Sequence, residues 1–188
     1  LLFLPFITGE YVLRTGDKSI LDISVPFLEG HSLGNREDLY ETAWESKESA
    51  TVYEHCVRAI KLVLKRTGKH DLPLILAGDW NDGLNNLGKK GIGESVWLGW
   101  FLFSVISLFA PFVKERDEQF YQQLLEQAKK LVSQLNTSCW DGAWYKRAFD
   151  DTNREIGSHK SECAKIDAIS QAWAVISGAG KSELTKKA

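Results

Sequence analysis

A chain of 188 residues, 44% of them hydrophobic, is long enough to bury one core and too apolar to be a disordered segment. A net charge of −2 and a pI of about 6.1 give no electrostatic reason to bind nucleic acid or an anionic membrane. Three cysteines at wide spacing, without a CxxC or CxxH pattern, argue against a zinc site and read as free thiols of a reducing compartment.

Leu1-Leu2-Phe3-Leu4-Pro5-Phe6 lacks the basic region and cleavage site of a signal peptide, and the chain contains no methionine. With a helix just beginning at Lys181 to Ala188, these features predict an internal segment of a longer protein. Leu1 to Thr15 reads as a helix that Gly16 stops in the left-handed cap position. Asp17 caps a short second helix through Leu21 and Val25, closed by Pro26 and Gly30. His31 to Lys47 is polar and aperiodic, which predicts a surface loop. From Ser49, a helix is signalled by Val52, Cys56, Ala59, Ile60, Val63 and Leu64, and Gly68 ends it. Leu72 to Ala77 is too short for periodicity to decide between a buried strand and an extended lead-in.

Glu94-Ser95 opens an uncharged helix to about Val113, long enough to span a membrane. Gly99, Ser104, Ser107 and Pro111 interrupt it, and its aromatics run along its length and are not confined to its ends. A helix buried in a large helical protein is therefore expected. Asp117 caps the next helix, whose apolar face includes Phe120, Leu124, Leu131 and Leu135. Asn136 to Ser161 reads as loop, and a last full helix runs from about Lys165 to Ser177 before Gly178.

Chemistry concentrates in Gly78-Asp79-Trp80-Asn81-Asp82-Gly83, where an apolar run ends in two carboxylates, an indole and an amide. The spacing suggests a calcium loop, but Gly83 and Lys90 occupy the fifth and twelfth positions, where acidic ligands are needed, so no metal is expected. A plain Asx turn is the bland alternative. Beside Trp80 and the apolar run, a general acid is the better reading, and Asp79 and Trp80 are placed to raise the carboxyl pKa of Asp82. Trp80 reads equally as core or as a platform for a sugar ring. Glu94 reads as a structural carboxylate at a helix start. The aromatic loop around Trp140, Trp144 and Tyr145 either packs on the core or lines a pocket, and Cys139 has no histidine partner that would make it a nucleophile. Asp167 and Gln171, four apart, share a polar helix face that needs partners, from loops or from a sugar. His55 reads as a helix-face residue, not a ligand.

Four separated motifs carry a resemblance over nearly the whole chain: Ala77 to Gly83, Gly93 to Gly99, Cys139 to Tyr145 and Ile166 to Val175. They resemble the inverting glycoside phosphorylases, of the cellobiose and chitobiose phosphorylase type. The likeness is greatest to the phosphorylase-like region of cyclic β-1,2-glucan synthases and to β-1,2-oligoglucan phosphorylases. The resemblance implies an all-α fold, here a partial (α/α)6 barrel forming a single incomplete catalytic segment over 1–188. It implies Asp82 as the general acid, with Trp80, Asp79, Gln171 and Trp144 in the substrate-binding set. Inorganic phosphate is then the co-substrate of a β-glucan oligosaccharide, no cofactor is needed, and the products are α-glucose 1-phosphate and a shortened glucan.

The resemblance also implies the rest of a parent polypeptide as partner, since the family's sugar-binding arginines precede and its phosphate-binding histidine loop follows the matching region. The isolated segment is expected to turn over nothing. A location in the cytoplasm, or in the cytoplasmic part of an inner-membrane protein, is expected. Leu84 stands where a methionine is frequent, and Glu162-Cys163-Ala164-Lys165 carries one residue more than the family pattern. A glycoside hydrolase on a related helical barrel and a non-catalytic carbohydrate-binding module remain the alternatives.

Overall fold

The structure, a computed structural model, describes residues 1–34, 36 and 39–188. It is mostly helical. Helix α1 (Phe3–Thr15) ends at Gly16 in the left-handed conformation, as its sequence predicts. Asp17 caps the next element through Ser19 N, but that element is a 3-10 turn, Lys18–Asp22, and not a helix reaching Val25. The chain then enters β1 (Ser24–Glu29), which pairs antiparallel with β2 (Trp44–Thr51) from Ser24↔Thr51 to Glu29↔Trp44, with an irregularity between Pro26 and Leu28. Pro26 suits such a place because it has no N–H to give to a ladder. The predicted surface loop over 31–47 therefore gives way to strand at Trp44, and its residues Asn35, Glu37 and Asp38 lie outside the described residues.

Helix α2 (Val52–Leu64) starts later than predicted, because Ser49 to Thr51 belong to β2. Thr51 caps it: its side chain accepts from Glu54 N while the Glu54 carboxylate takes Thr51 N–H, so two orphan donors are satisfied reciprocally. After α2, Leu72 to Ile75 is an extended lead-in with single bridges at Pro73 and Leu74, and Leu76 and Ala77 form a turn. A short strand β3 (Glu94–Ser95) precedes the apolar helix α3 (Val96–Lys114), and Ser95 caps α3 through Leu98 N. Asp117 caps α4 (Glu118–Leu135) through Phe120 N. Strands β4 (Ala148–Phe149) and β5 (Glu155–Ile156) complete a three-stranded antiparallel sheet in the order β3-β4-β5. Helices α5 (Ala168–Ile176) and α6 (Ser182–Thr185) close the chain. The all-α expectation is thus too strict. Two small sheets join the helices, and the three-stranded one gathers residues far apart in sequence.

Helix α3 is the axis of the core. Val96, Trp100, Val105, Phe109 and Val113 are fully enclosed, with α1, α4 and α5 packed around the helix. By length and composition α3 passes as a membrane span, yet 67% of its most apolar window is buried within the protein. Trp97 stacks on Phe101 at 5.5 Å, and both rings meet Trp173 of α5 edge-on. The approach of α1 to α3 is set by Gly9: a Cβ there would lie 2.6 Å from Leu108 Cγ. Gly9→Val is therefore expected to destabilise the chain by about 1–3 kcal/mol through overpacking, read as a lower midpoint in urea or thermal unfolding.

Candidate active site

The loop that carries Asp79 to Gly83 is bounded by two backbone ties. Ile75 N–H donates to Gly93 O and Asp151 N–H donates to Leu87 O, each at 2.8 Å. Between those ties the chain turns sharply. Leu76 has φ 50, a conformation that costs a side-chain-bearing residue about 1–2 kcal/mol. Gly78 has φ 122, which only a residue without Cβ adopts readily.

Asp79 turns inward. Its Oδ1 accepts from Trp80 N at 2.7 Å and Asn81 N at 3.1 Å, which makes the Asx turn expected of this composition. Its Oδ2 accepts from Ser95 Oγ at 2.5 Å. The guanidinium of Arg147 grips both oxygens, Nη1 to Oδ2 at 2.7 Å and Nη2 to Oδ1 at 2.8 Å. This is the two-pronged geometry for which a planar guanidinium is suited. The side chains are closed to solvent, 0% exposed for Asp79 and 2% for Arg147. Burial opposes ionisation of Asp79, but the hydrogen bonds from Arg147 and Ser95 outweigh it and hold the carboxyl below the usual aspartate range.

Asn81 caps the 3-10 turn Asp82–Leu84 through Gly83 N at 3.0 Å. Trp80 and Asp82, in contrast to Asp79, face outward. Trp80 is 62% exposed. The Asp82 carboxylate is exposed and has no hydrogen bond or ion pair among the described residues. Trp80 lines a cavity of about 200 Å³ with Leu2, Phe3, Arg66, Leu76, Trp97 and Phe101, while Asp82 stands outside that lining, two residues along the loop. The Trp97 indole Nε1, on the cavity wall, is buried without a hydrogen-bond partner.

This constellation comes from a chain whose full length, residues 1–188, matches the sequence model of the glycosyl hydrolase 94 superfamily catalytic domain. The chain belongs to that family. It is 38% identical over 193 residues to a cyclic beta-(1,2)-glucan synthase of Rhizobium meliloti, covering all of this chain and 7% of that protein. A solabiose phosphorylase of Paenibacillus borealis is 35% identical over 177 residues, covering 93% of this chain and 21% of the relative. A cellobionic acid phosphorylase of Neurospora crassa is 29% identical over 187 residues, covering 99% and 22%. The chain thus spans a minor part of the length of each of these relatives.

Within this glycosyl hydrolase 94 segment, the other candidate residues hold loops together. Gln171 Oε1 accepts from Tyr145 N, and its Nε2 donates to the carbonyls of Tyr145 and Asp167, so both amide hydrogens are used. Trp144 Nε1 donates to Gly157 O and Lys165 O, which leaves its ring as the only free surface. The Asp79 carboxylate is closed to solvent and has no accessible oxygen to offer a ligand. Glu94 is 2% exposed and accepts from the amides of His70 and Leu72 and from the His70 ring, a structural role. His55 stacks on Phe27 and bonds to Val25 O, so it packs the β1–β2 ribbon. Burial pushes the Cys139 thiol far above its ordinary value and Cys56 up to about 11, so neither is poised as a thiolate.

Sequence reasoning missed Arg147. Its one signal is a cation between Tyr145 and Phe149 in a run of buried residues, where an arginine needs a carboxylate partner. Asp151 was also missed. It sits on the β4–β5 turn and accepts from the amides of Lys90, Ile92 and Gly93, fixing the far end of the site loop.

The lowered pKa of Asp79 carries a sign. A depressed carboxyl contributes stability that is complete above its unfolded pKa, about 3.9, and is lost as pH falls through the folded value. Unfolding free energy measured from pH 6 downward should therefore fall less steeply below about pH 4 in Asp79→Asn than in the wild type. Equal slopes would show that this carboxylate gains nothing from its partners.

Proposed function

We propose that this chain is the acid-bearing segment of an enzyme that breaks or makes β-glucosidic bonds with inorganic phosphate, inverting the anomeric centre. Asp82 is the general acid and Trp80 the sugar contact. The observation that carries the reading is the contrast within one motif of this family: Asp79 is sealed and paired, while Asp82, two residues beyond the exposed Trp80, is free. An inverting hydrolase needs a second carboxylate to activate water. With Asp79 committed to Arg147, the motif offers one free carboxylate, which suits a reaction whose nucleophile is phosphate itself.

In the step we propose, a phosphate oxygen attacks the anomeric carbon, the glycosidic C–O bond breaks, and the Asp82 proton goes to the departing oxygen. The products are α-glucose 1-phosphate and a glucan one unit shorter. Asp79, Gln171 and Trp144 act behind the sugar, holding the loops that frame it, and the reaction calls for no metal or organic cofactor.

The reading includes an incomplete (α/α)6 barrel completed by further polypeptide. Its support is the apolar side chains that α1 and α5 leave uncovered: Phe3, Leu4, Ile7 and Leu13 on one, Val175 and Ile176 on the other. A cytoplasmic setting, in a soluble or an inner-membrane protein, fits the three free thiols.

The test uses the longer enzyme that contains this segment. Release of glucose 1-phosphate from a β-glucan oligosaccharide should require phosphate, and Asp82→Asn should lower kcat by about 10³-fold without loss of folding. Bond cleavage that proceeds equally well without phosphate would favour a hydrolase, and full activity in Asp82→Asn would remove the acid assignment.

A further inference from the structure

Among the described residues, the backbone between Ile75 and Leu87 makes hydrogen bonds only within that stretch: Gly78 N to Ile75 O, Leu84 N to Asn81 O, Asn85 N to Asp82 O and Leu87 N to Leu84 O. The side chains of Asn81 and Asp79 add local turn bonds. One side chain in the stretch reaches further by hydrogen bonding, and it is Asp79, to Ser95 and Arg147. The loop is strained at Leu76, so it has a conformation to relax into once that tie is cut.

The other end of the tie is fixed independently of the loop. Arg147 N–H donates to Ile156 O at 2.7 Å and its carbonyl accepts from Val96 N at 3.2 Å, which fastens it between β5 and the start of α3. Gly157, at φ 70, lies so near that a Cβ would come within 2.8 Å of Arg147 Cβ, so its bare backbone packs against the root of the arginine side chain. Arg147 Nε lies 3.3 Å from Asp167 Oδ2 at the cap of α5, an ion-pair contact without hydrogen-bond alignment.

We propose that Arg147 is the positioning residue of the acid loop: its guanidinium, through Asp79, sets where Trp80 and Asp82 stand relative to the bound sugar. The proposal rests on the functional reading above for its kinetic consequence, and on the hydrogen bonds alone for its structural one. Arg147 does not touch substrate; it acts through a carboxylate that is itself sealed from solvent.

Two measurements test it. In the longer enzyme, Arg147→Met should lower kcat about 100-fold, the effect of misplacing a reacting group by about 1 Å, while KM for phosphate stays within about twofold. Arg147→Lys, which keeps the charge and loses the fork, should recover part of kcat. By hydrogen exchange, the amides of Trp80 and Asn81 should lose protection in Arg147→Met while those of α3 keep theirs. If Arg147→Met does not fold, Asp79→Asn is read by the same two measurements. Loop amides as protected as in the wild type, or kcat unchanged in a folded variant, overturn the proposal. Lost loop protection in a protein whose wild type shows no phosphorolysis would instead sink the proposed function and leave the tie standing.

Discussion

The contact between Arg147 and Asp79 organises the site. Taking two charges out of water is expensive, and a buried ion pair is stable only when its geometry is good and its remaining valences are filled. Here Ser95 at the start of α3 and the amides of Trp80 and Asn81 fill the valences of the carboxylate, and Asp167 adds a second charge facing the arginine's edge. Besides the two neighbouring amides, the partners come from three other segments, so meeting the electrostatic demand of one carboxylate assembles parts of the chain up to 88 residues apart, from Asp79 to Asp167. Removing the arginine leaves the Asp79 carboxylate enclosed without a cation, and removing the carboxylate leaves Arg147 with Asp167 alone, which is why this pair resists piecemeal change.

The small sheet β3-β4-β5 serves the same end. Its strands are two residues long and add little stability of their own. What they do is set register: with Glu94 opposite Phe149 and Phe149 opposite Glu155, Arg147 lands beside Ser95 and Asp151 beside the amides that follow Lys89. The outward-facing Trp80 and Asp82 are then displayed by an arrangement whose parts are all behind them.

Helices were legible in the sequence wherever a cap and a 3.6-residue pattern agreed, as at Asp117 and along Phe120, Leu124, Leu131 and Leu135. The β1–β2 ribbon was not, because a two-stranded ribbon with both faces largely in water has no reason to alternate, and β2 reads Trp-Glu-Ser-Lys-Glu-Ser-Ala-Thr. The two-residue strands fall below any periodicity window. In the site, residue type put Asp79, Gln171 and Trp144 beside Asp82 and Trp80 but does not say which way a side chain turns: the first three bond to protein partners, and the last two are exposed. Arg147 escaped notice because its partner lies 68 positions earlier, a separation no local pattern encodes.

The loop between Gly157 and Asp167 has firm moorings at both ends. Trp144 holds the carbonyls of Gly157 and Lys165, and Asp167 is occupied with Ile169 and Arg147. Between them Ala164 takes up a left-handed turn at φ 49. That kink is slack in the line: a residue gained or dropped there changes the arch of the span and leaves its moorings alone. Variation in length at this arch can reshape the surface beside Arg154, Lys160 and Cys163 without touching the loop that carries Trp80 and Asp82.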